Sequence, residues 1–469
     1  MKKAILSLAL LLIFFSSYAQ LKNPKAIDEI FAEWNHKDTP GGAVGIVKGG
    51  KLIYSKGYGS GDLEHDIPIT PSSVFYIGSV SKQFVTFCIL LLEEQGKLSL
   101  DDKIQKYFPD FPEYESPLTI RHFVHHTSGI RDFITLLKLK GINYLDDIQV
   151  DDVYELIKSQ KELNFAPGEK YLYSNSCYFM LALIVEKASG QTIRAFAKEQ
   201  IFDPLGMKNT LFYDDNAGLL KNKVFSYQKS ENESGFDNLI MRYDLVGSGG
   251  IYSTIEDLFL WDQNFYHNKL GKGGQAIIKK MHENGKLNSG EVLNYAFAIN
   301  NGTYRGVKTV AHSGSLAGYR SQLVRFPEQK VSVIILSNRE DGNPTKLSYQ
   351  VADVVLKDSF TEVETVKKME EKPLTTETNK LEISVSNLGE FEGKYFCPEL
   401  ETEYKIFSEN GILKVKIPHK TAETLKQTNI DIFEAELFGI SFKRKNGKIT
   451  GFDANAGRVK NLKFDKINP

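Results

Sequence analysis

The sequence predicts an α+β fold in which an antiparallel β-sheet flanked by helices is joined to a mostly helical subdomain, with a small all-β barrel after it. Three observations support this prediction. Strand-like hairpins next to amphipathic helices occur at both ends of the longer first part, helical material lies between those ends, and the final part consists of short strand-like runs separated by turns. We therefore expect the two ends of the first part to share one sheet.

The first end begins with apolar residues at helical spacing, Ile27, Ile30, Phe31 and Trp34, before Pro40. Two strand-like runs follow, at 42–48 and 51–58. The Gly-Gly pair between them supplies the positive φ angles of a tight hairpin turn.

The second end has the same parts in the opposite order. Strand-like runs at 321–326 and 331–337 flank a Pro-Glu-Gln turn, and an amphipathic helix runs through Leu347, Val351 and Val355. Because both ends offer a hairpin and a helix, we expect the helices to cover the shared sheet.

A change of composition marks the boundary of the second part. Residues 357–380 are rich in Lys, Glu and Thr and poor in large apolar residues, as in a solvated linker. Beyond this segment, Asn-Gly turns at 410–411 and 446–447 separate short runs typical of a barrel or sandwich. The predicted strands are 403–407, 412–417, 440–444, 449–452 and 459–464.

The N-terminus has the pattern of a secretory signal peptide. Lys2 and Lys3 precede an apolar run at 4–15, and Ser17 and Ala19 place small residues at the cleavage-determining positions. The run is shorter than the roughly 20 apolar residues of a membrane-spanning helix. We expect cleavage after Ala19, a periplasmic or secreted mature protein, and no membrane span in the mature form.

These observations divide the 469-residue chain into a signal peptide at 1–19, a main domain at 20–358, a linker at 359–385 and a β domain at 386–469. The formal net charge of −1 lacks the basic excess of nucleic-acid-binding proteins, so we expect no nucleic-acid partner. The sequence does not indicate an oligomeric state. Three cysteines do not form the even-numbered framework of a disulfide-rich scaffold, and we expect buried free thiols.

The first candidate for chemistry is the segment 79–82, Ser-Val-Ser-Lys, which precedes a nearly all-apolar run at 84–92. On a helix, Ser79 and Lys82 at i and i+3 share one face. A lysine in a buried site has a lowered pKa and can accept a proton from serine. The same four-residue spacing at 226–229 has no buried helix behind it, and on the motif alone an ordinary helix cap is the simpler interpretation.

The second candidate is the segment 173–175, Tyr-Ser-Asn, at the start of an apolar run at 177–185. A lysine ammonium can lower the pKa of Tyr173 below its usual value of about 10, which would make the tyrosine a base. Asn175 can hold both the lysine and a substrate carbonyl. A structural tyrosine is the alternative, because Tyr-His-Asn at 266–268 repeats the pattern.

The third candidate is the segment 312–314, His-Ser-Gly, after a β-like run at 307–311. Gly314 would let substrate backbone lie against an edge strand. The amide of Ser315 could pair with the amide of Ser79 as an oxyanion hole. The alternative is that His312 ends a strand and Gly314 forms a turn.

In this order, the three segments resemble the serine β-lactamase and penicillin-recognising family, nearest the branch of class C β-lactamases, D-aminopeptidases, DD-carboxypeptidases and esterases. The supporting phrases are Leu-Thr-Ile-Arg-His at 118–122, His-Thr-Ser-Gly at 126–129, Pro-Gly at 167–168 and Gly-Ser-Gly-Gly at 247–250. The resemblance covers 27–356. Residues 388–466 resemble the lipocalin-like β domain of some members, with Gly-Lys-Tyr at 393–395 near its start.

The resemblance implies a serine hydrolase without a cofactor, acting on a small-molecule or peptide substrate. It assigns nucleophilic attack to Ser79, proton transfer to Lys82 and Tyr173, and substrate positioning to Asn175, Gly314 and Ser315, with His312 completing the site. It also implies that His126 forms hydrogen bonds in a loop closing the site. Zinc binding by the histidines at 122, 125 and 126 is the alternative. Because the resemblance gives His126 a hydrogen-bonding role, we expect no metal there.

The sequence departs from the family at the third segment. Class C β-lactamases and carboxypeptidases typically have Lys-Thr-Gly there, and His312 replaces that lysine. A largely neutral imidazole is a poorer carboxylate anchor, so we predict inefficient β-lactam hydrolysis. The leading hypothesis is cleavage of a D-amino-acid peptide. The alternatives are a carboxylesterase or weak β-lactamase, and a penicillin-recognising sensor that is acylated without turnover.

Overall fold

The computed structural model describes residues 21, 23–231, 234–361 and 388–467. The predicted signal peptide lies outside these residues, as does nearly all of the predicted linker. The larger part contains a six-stranded antiparallel sheet, called the main sheet here. Its strands, in spatial order, are Asn300–Tyr304, Val307–Leu316, Tyr319–Phe326, Val331–Ser337, Gly42–Lys48 and Lys51–Tyr58.

The two ends of the larger part meet in the middle of the main sheet, as the sequence predicted. Gly42 pairs with Ser337, and Lys48 pairs with Val331. The central strands are buried almost throughout, because successive side chains point to opposite faces of the sheet and both faces are covered. Val333 and Ile335 pack towards the terminal helices, whereas Ile334 and Leu336 pack towards the helical subdomain.

Helices cover both faces of the sheet and form the subdomain beside it. The α-helices are Pro24–Ile30, Lys82–Glu94, Ile120–Val124, Phe133–Lys140, Val150–Lys158, Asn175–Ser189, Ile193–Ala197, Asp203–Leu205, Ile255–Asn264, Gln275–Met281 and Pro344–Val355. Short 3₁₀ turns are Ala32–Trp34, Gly78–Ser81, Ile104–Lys106, Lys357–Ser359 and Leu388–Glu390, and Lys198–Phe202 is a π-helical turn. The helices at 82–94 and 175–189 pack against each other at the centre of the subdomain.

Three small sheets complete the larger part. Phe75–Tyr76, Ile251–Ser253 and Leu211–Phe212 form one, Ser60–Asp62 pairs with Ile67–Pro68, and Tyr227–Lys229 pairs with Phe236–Asn238. The segment 226–229, which repeats the Ser-to-Lys spacing, therefore lies partly in a strand. It cannot place its serine and lysine on one helical face.

The second part is a nearly closed nine-stranded antiparallel barrel, which confirms the predicted all-β architecture. Its strands, in spatial order, are Glu423–Thr424, Ile412–Lys416, Thr402–Glu409, Gly393–Cys397, Val459–Ile467, Lys448–Ala456, Gly439–Lys445, Ile432–Glu434 and Lys426–Asn429. Aromatic side chains such as Tyr404, Phe452 and Phe464 pack together inside it. The interior is a packed core at these positions.

A buried ion pair joins the barrel to the larger part. Arg131 Nη1 lies 2.7 Å from Glu399 Oε2, and both side chains are almost completely buried. The Arg131 guanidinium also donates to Gln160 and to the backbone carbonyls of Lys460 and Asn461. The last barrel strand is thereby held against the loop that precedes the helix at 133–140.

No helix among the described residues is long and apolar enough to cross a membrane. The cysteines at positions 88, 177 and 397 are buried and unpaired, as expected from their number.

Candidate active site

Ser79 lies at the bottom of a cleft of about 460 Å³ between the main sheet and the helical subdomain. It belongs to the 3₁₀ turn Gly78–Ser81, which leads directly into the helix Lys82–Glu94. Its side chain is half-buried and therefore reachable from the cleft. The sequence predicted a helix at this position, and the chain forms a tighter turn before the α-helix starts.

Lys82 lies beneath the cleft, and its side chain is completely buried. Its Nζ lies 3.0 Å from Ser79 Oγ, 3.0 Å from Asn175 Oδ1 and 2.5 Å from the carbonyl oxygen of Ser248. Burial lowers the pKa of Lys82 well below its usual value, and the positive charge of Arg458 lowers it further. The direction matches the sequence prediction.

Tyr173 borders the same cleft, with its ring centre 4.8 Å from Lys82 Nζ. Its pKa differs from the prediction. Burial raises the pKa of Tyr173 above its usual value, and a hydrogen bond with Ser79 and the charge of Arg458 only partly oppose the rise. The direction is opposite to the lowering that a neighbouring lysine ammonium could cause, because desolvation outweighs the nearby cations and Lys82 itself has a lowered pKa.

Asn175 is held in place by Asp132, whose carboxylate caps two helices. Asp132 Oδ2 accepts a hydrogen bond from the Asn175 amide at 2.7 Å, and Oδ1 accepts one from the Thr135 amide at 3.1 Å. Ser176 Oγ donates to the carbonyl of Arg131 and accepts from the amide of Phe133. These contacts fix the first turn of the helix Asn175–Ser189, and hence the amide oxygen that faces Lys82.

His312 lies within the strand Val307–Leu316, which continues through the whole third segment. The predicted strand-like run at 307–311 was too short, because pairing with the neighbouring strand runs on to Leu316 and Tyr319. His312 therefore does not end a strand. Burial lowers the pKa of His312 to about 4, so the ring is neutral at neutral pH.

A chain of hydrogen bonds fixes the orientation of His312. The Ser174 amide donates to His126 Nδ1 at 3.2 Å, so His126 Nε2 carries its proton and faces Tyr295 Oη, also at 3.2 Å. Tyr295 Oη lies 3.3 Å from His312 Nε2, and His312 Nδ1 lies 2.7 Å from the carbonyl of Ser313. Both ring nitrogens of His312 form hydrogen bonds, so the ring lines the cleft in a fixed orientation.

The backbone of the third segment lies directly against the turn that holds Ser79. A Cβ added to Gly78 would lie 2.6 Å from the Ser315 amide nitrogen, and one added to Gly314 would lie 2.9 Å from the Ser79 amide nitrogen. Gly78 also has a φ of +54°, which favours glycine. The two amides of the expected oxyanion hole are therefore close neighbours at one end of the cleft.

The structure brings the candidate residues together at this cleft. Lys82 lies beneath it, and the other six line it: Ser79, Tyr173, Asn175, His312, Gly314 and Ser315. His122 instead contacts Thr119 through Nδ1, while His126 forms the hydrogen bonds described above. No group of three or more metal-ligating side chains occurs among the described residues.

Sequence reasoning missed three contributors to the cleft. Tyr295 links the two histidines, the Ser248 carbonyl accepts from Lys82, and Arg458 reaches the cleft from the barrel. Ser248 lies in the Gly-Ser-Gly-Gly phrase that was recognised without a role. No local pattern marks Tyr295 or Arg458, because their positions depend on tertiary packing.

Comparison with known proteins supports the family resemblance found in the sequence. The sequence model of the family described as Beta-lactamase matches residues 27–356. Penicillin-binding protein 4* of Bacillus subtilis (strain 168) is 31% identical over 334 residues, which cover 68% of this chain and 72% of that protein. A D-aminopeptidase of Cereibacter sphaeroides is 28% identical over 305 residues, covering 64% of this chain and 57% of the relative.

The architecture also occurs in a solved structure, that of the octameric penicillin-binding protein homologue from Pyrococcus abyssi. The two superpose with a TM-score of 0.63 at 22% identity, covering 94% of this chain and 98% of that chain. The likeness therefore includes the barrel as well as the larger part.

The sheet, the helical subdomain and the Ser-Lys pair define a protein of the penicillin-recognising serine-hydrolase class. The chain belongs to the β-lactamase family, with an additional C-terminal barrel. The match spans less than two thirds of the length of the D-aminopeptidase.

Proposed function

We propose that the protein is an exported hydrolase that cleaves an amide or ester bond through an acyl-Ser79 intermediate, with D-amino-acid peptides as its substrates. The hydrogen-bond set around Lys82 Nζ carries this proposal. Two of its three neighbours, the Asn175 amide oxygen and the Ser248 carbonyl, can only accept hydrogen bonds. A neutral amine donates its two N–H groups to them, which leaves its lone pair for the Ser79 hydroxyl.

Acylation follows from this arrangement. Ser79 Oγ bonds to the substrate carbonyl carbon while its proton passes to the neutral Lys82 amine. The tetrahedral adduct then breaks its C–N or C–O bond. The leaving nitrogen or oxygen takes a proton from the Tyr173 hydroxyl, which regains one from the Lys82 ammonium. The high pKa of Tyr173 suits this role as a proton donor, and the two groups titrate as a coupled pair.

Deacylation uses the same groups. A water molecule attacks the acyl carbon and gives one proton to Lys82. The Ser79–acyl bond breaks, Ser79 Oγ takes back the proton from Lys82, and the product leaves as a carboxylic acid. The amides of Ser79 and Ser315 are assigned to stabilise the oxyanion in both steps, and their proximity supports this assignment.

The substrate class is supported by the relatives and by the third segment. The printed names of the relatives include D-aminopeptidase and penicillin-binding protein. His312 is neutral and does not itself supply the charge of the lysine that class C β-lactamases typically have at this position. Export is proposed from the signal-peptide pattern of residues 1–19.

The test is a panel of reactive compounds with the mature protein and its Ser79→Ala variant. A fluorophosphonate probe should label the wild type and not the variant. A D-amino-acid anilide should be hydrolysed faster than a chromogenic ester or cephalosporin. Faster ester hydrolysis would favour the carboxylesterase, and labelling without turnover of any compound would favour the sensor. Labelling of the variant equal to the wild type would exclude Ser79 as the nucleophile.

A further inference from the structure

Arg458 reaches the cleft from the barrel, on the turn between the strands Lys448–Ala456 and Val459–Ile467. Its guanidinium carbon lies 4.6 Å from the centre of the Tyr173 ring. The side chain lines the same cleft as Ser79 and is 43% exposed. A residue from the second part of the chain is therefore adjacent to the catalytic groups.

The backbone fixes the position of Arg458 without using its side chain. The Arg458 carbonyl accepts hydrogen bonds from Asn164 Nδ2 at 3.0 Å and from the Asp132 amide at 3.4 Å. Arg131 holds the carbonyls of Lys460 and Asn461 immediately beyond the turn. The guanidinium is thus not needed to hold the turn in place.

Among the described residues, no acceptor uses the N–H donors of the Arg458 guanidinium. It donates no hydrogen bond there, and its ion-pair partner, Asp132, is 3.8 Å away. Both oxygens of Asp132 already accept hydrogen bonds from Asn175 and Thr135. An arginine carries five N–H donors in a fork that matches a carboxylate.

The other cation that lines the cleft is committed to neighbouring groups. Arg320 donates to the carbonyls of Ala317 and Tyr319 and lies 3.8 Å from Glu340. The His312 ring is engaged at both nitrogens. Arg458 is therefore the cation along this cleft best placed to receive an anionic group from a ligand.

We propose that Arg458 binds a carboxylate on the leaving group of the substrate, so that the enzyme prefers acyl-D-amino-acid compounds whose departing residue has a free C-terminus. Tyr173, against which Arg458 stacks, is the group that protonates the departing nitrogen or oxygen in the mechanism above. The carboxylate of the departing residue therefore lies on the Arg458 side. This inference rests on the proposed function and specifies its substrate.

A second role for Arg458 must be separated from carboxylate binding. Its charge also lowers the pKa of Lys82 and opposes the rise in the pKa of Tyr173. Loss of that effect would slow every substrate equally. Carboxylate binding changes the ratio between substrates with and without a carboxylate, and this ratio is the decisive measurement.

The test uses N-acetyl-D-alanyl-D-lactate and its C-terminal carboxamide, which differ only in that carboxylate. We expect the wild type to have the higher kcat/KM with the acid. In Arg458→Gln, the acid-to-amide ratio should fall by about 10- to 100-fold, in keeping with loss of a charge-assisted bidentate contact. Arg458→Lys should be intermediate, because lysine keeps the charge without the fork.

Lys463→Gln is the matched control. Lys463 lies on the strand Val459–Ile467, which follows the Arg458 turn, and it pairs with Glu162 of the larger part but does not line the cleft. This variant should keep the wild-type ratio. An unchanged ratio in Arg458→Gln, or a wild type that prefers the carboxamide, would overturn the proposal.

Fluorophosphonate labelling separates failure of this proposal from failure of the proposed function. The probe carries no carboxylate, so Arg458→Gln should still be labelled at Ser79. Both lactate compounds are also added as competitors during labelling. The extent to which each compound slows the labelling measures how well the enzyme binds it, even without turnover. If neither slows it, the carboxylate proposal fails alone. If the wild type is not labelled at all, the acyl-Ser79 mechanism fails and this inference fails with it.

Discussion

At the scale of single residues, the protonation of Lys82 depends on its hydrogen-bond partners. Among the described residues, no carboxylate lies within hydrogen-bonding distance of it. A buried lysine with such a partner would remain an ammonium. Here its contacts are a hydroxyl, an amide oxygen and a backbone carbonyl. These contacts and the lowered pKa of Lys82 favour the neutral amine that the proposed mechanism requires, whereas the raised pKa of Tyr173 favours its protonated form.

Replacing Tyr173 with phenylalanine should slow acylation by about 10²–10⁴, the range for loss of a general acid or base. The rate of p-nitroanilide release from a D-amino-acid substrate measures the effect. Tyr266→Phe is the control, because Tyr266 starts the tripeptide that repeats the motif, yet it does not line the cleft. A near-wild-type rate for Tyr173→Phe would remove this tyrosine from the mechanism.

Two buried histidines should make the protein sensitive to acid. Burial lowers the pKa values of His125 and His312 to about 4, from 6.5 in the unfolded chain. The unfolded state therefore binds more protons between these values, and stability falls as the pH falls through this window. Lowering the pH from about 7 to about 5 should reduce the free energy of unfolding by about 2 kcal/mol for each histidine.

Urea unfolding at the two pH values checks this expectation. His125→Gln is the informative variant, because His125 packs against Phe297 outside the cleft. Its loss of stability on acidification should be smaller than that of the wild type by about 2 kcal/mol. An equally large loss in the variant would show that other groups cause the acid sensitivity.

At the scale of elements, the close approach of two backbone segments forms the cleft. A Cβ at Gly314 would overlap the carbonyl oxygen of Ile77 and lie 2.9 Å from the Ser79 nitrogen. Gly314→Ala should therefore push the strand away from the nucleophile turn. We expect a loss of about 1–3 kcal/mol in stability and a larger loss of fluorophosphonate labelling than the stability change explains.

Gly302→Ala is the control for this substitution. Gly302 lies on the adjacent edge strand, where the new methyl group meets only the Thr309 hydroxyl, at 3.2 Å. This variant should be labelled at close to the wild-type rate. If Gly314→Ala is also labelled at that rate, the tight contact does not position Ser79.

The sequence predicted those elements whose patterns are local. The runs at 42–48 and 51–58 have the observed bounds, because strand-like residues and the Gly-Gly turn between the two runs are encoded locally. The strand at His312 was predicted too short, since only pairing with the next strand keeps it extended. The pKa of Tyr173 is raised and not lowered for a similar reason, because the burial of this side chain depends on distant segments.

At the scale of the whole molecule, the buried ion pair between Arg131 and Glu399 joins the barrel to the larger part. Glu399→Ala would leave the guanidinium of Arg131 buried without its carboxylate. Removing one partner of a buried pair typically costs about 3–5 kcal/mol. Urea unfolding should show this loss, and limited proteolysis should cleave the variant faster than the wild type.

Lys463→Gln again provides the comparison, because it removes an exposed ion pair that joins the same two parts. Such pairs contribute about 0–1 kcal/mol. Equal stability changes in Glu399→Ala and Lys463→Gln would mean that the Arg131–Glu399 pair does not hold the barrel in place. The sequence did not reveal this pair, because 268 positions separate its two members.

Arg458, on the turn before the last barrel strand, lines the cleft, so the proposed selectivity and the proposed chemistry would be encoded in separate stretches of sequence. If the proposal holds, substitutions in this turn change which molecules are accepted while the serine, lysine and tyrosine stay as they are. Relatives with identical motifs but different barrels therefore need not share substrates, and the appended β domain is the natural place to redesign preference.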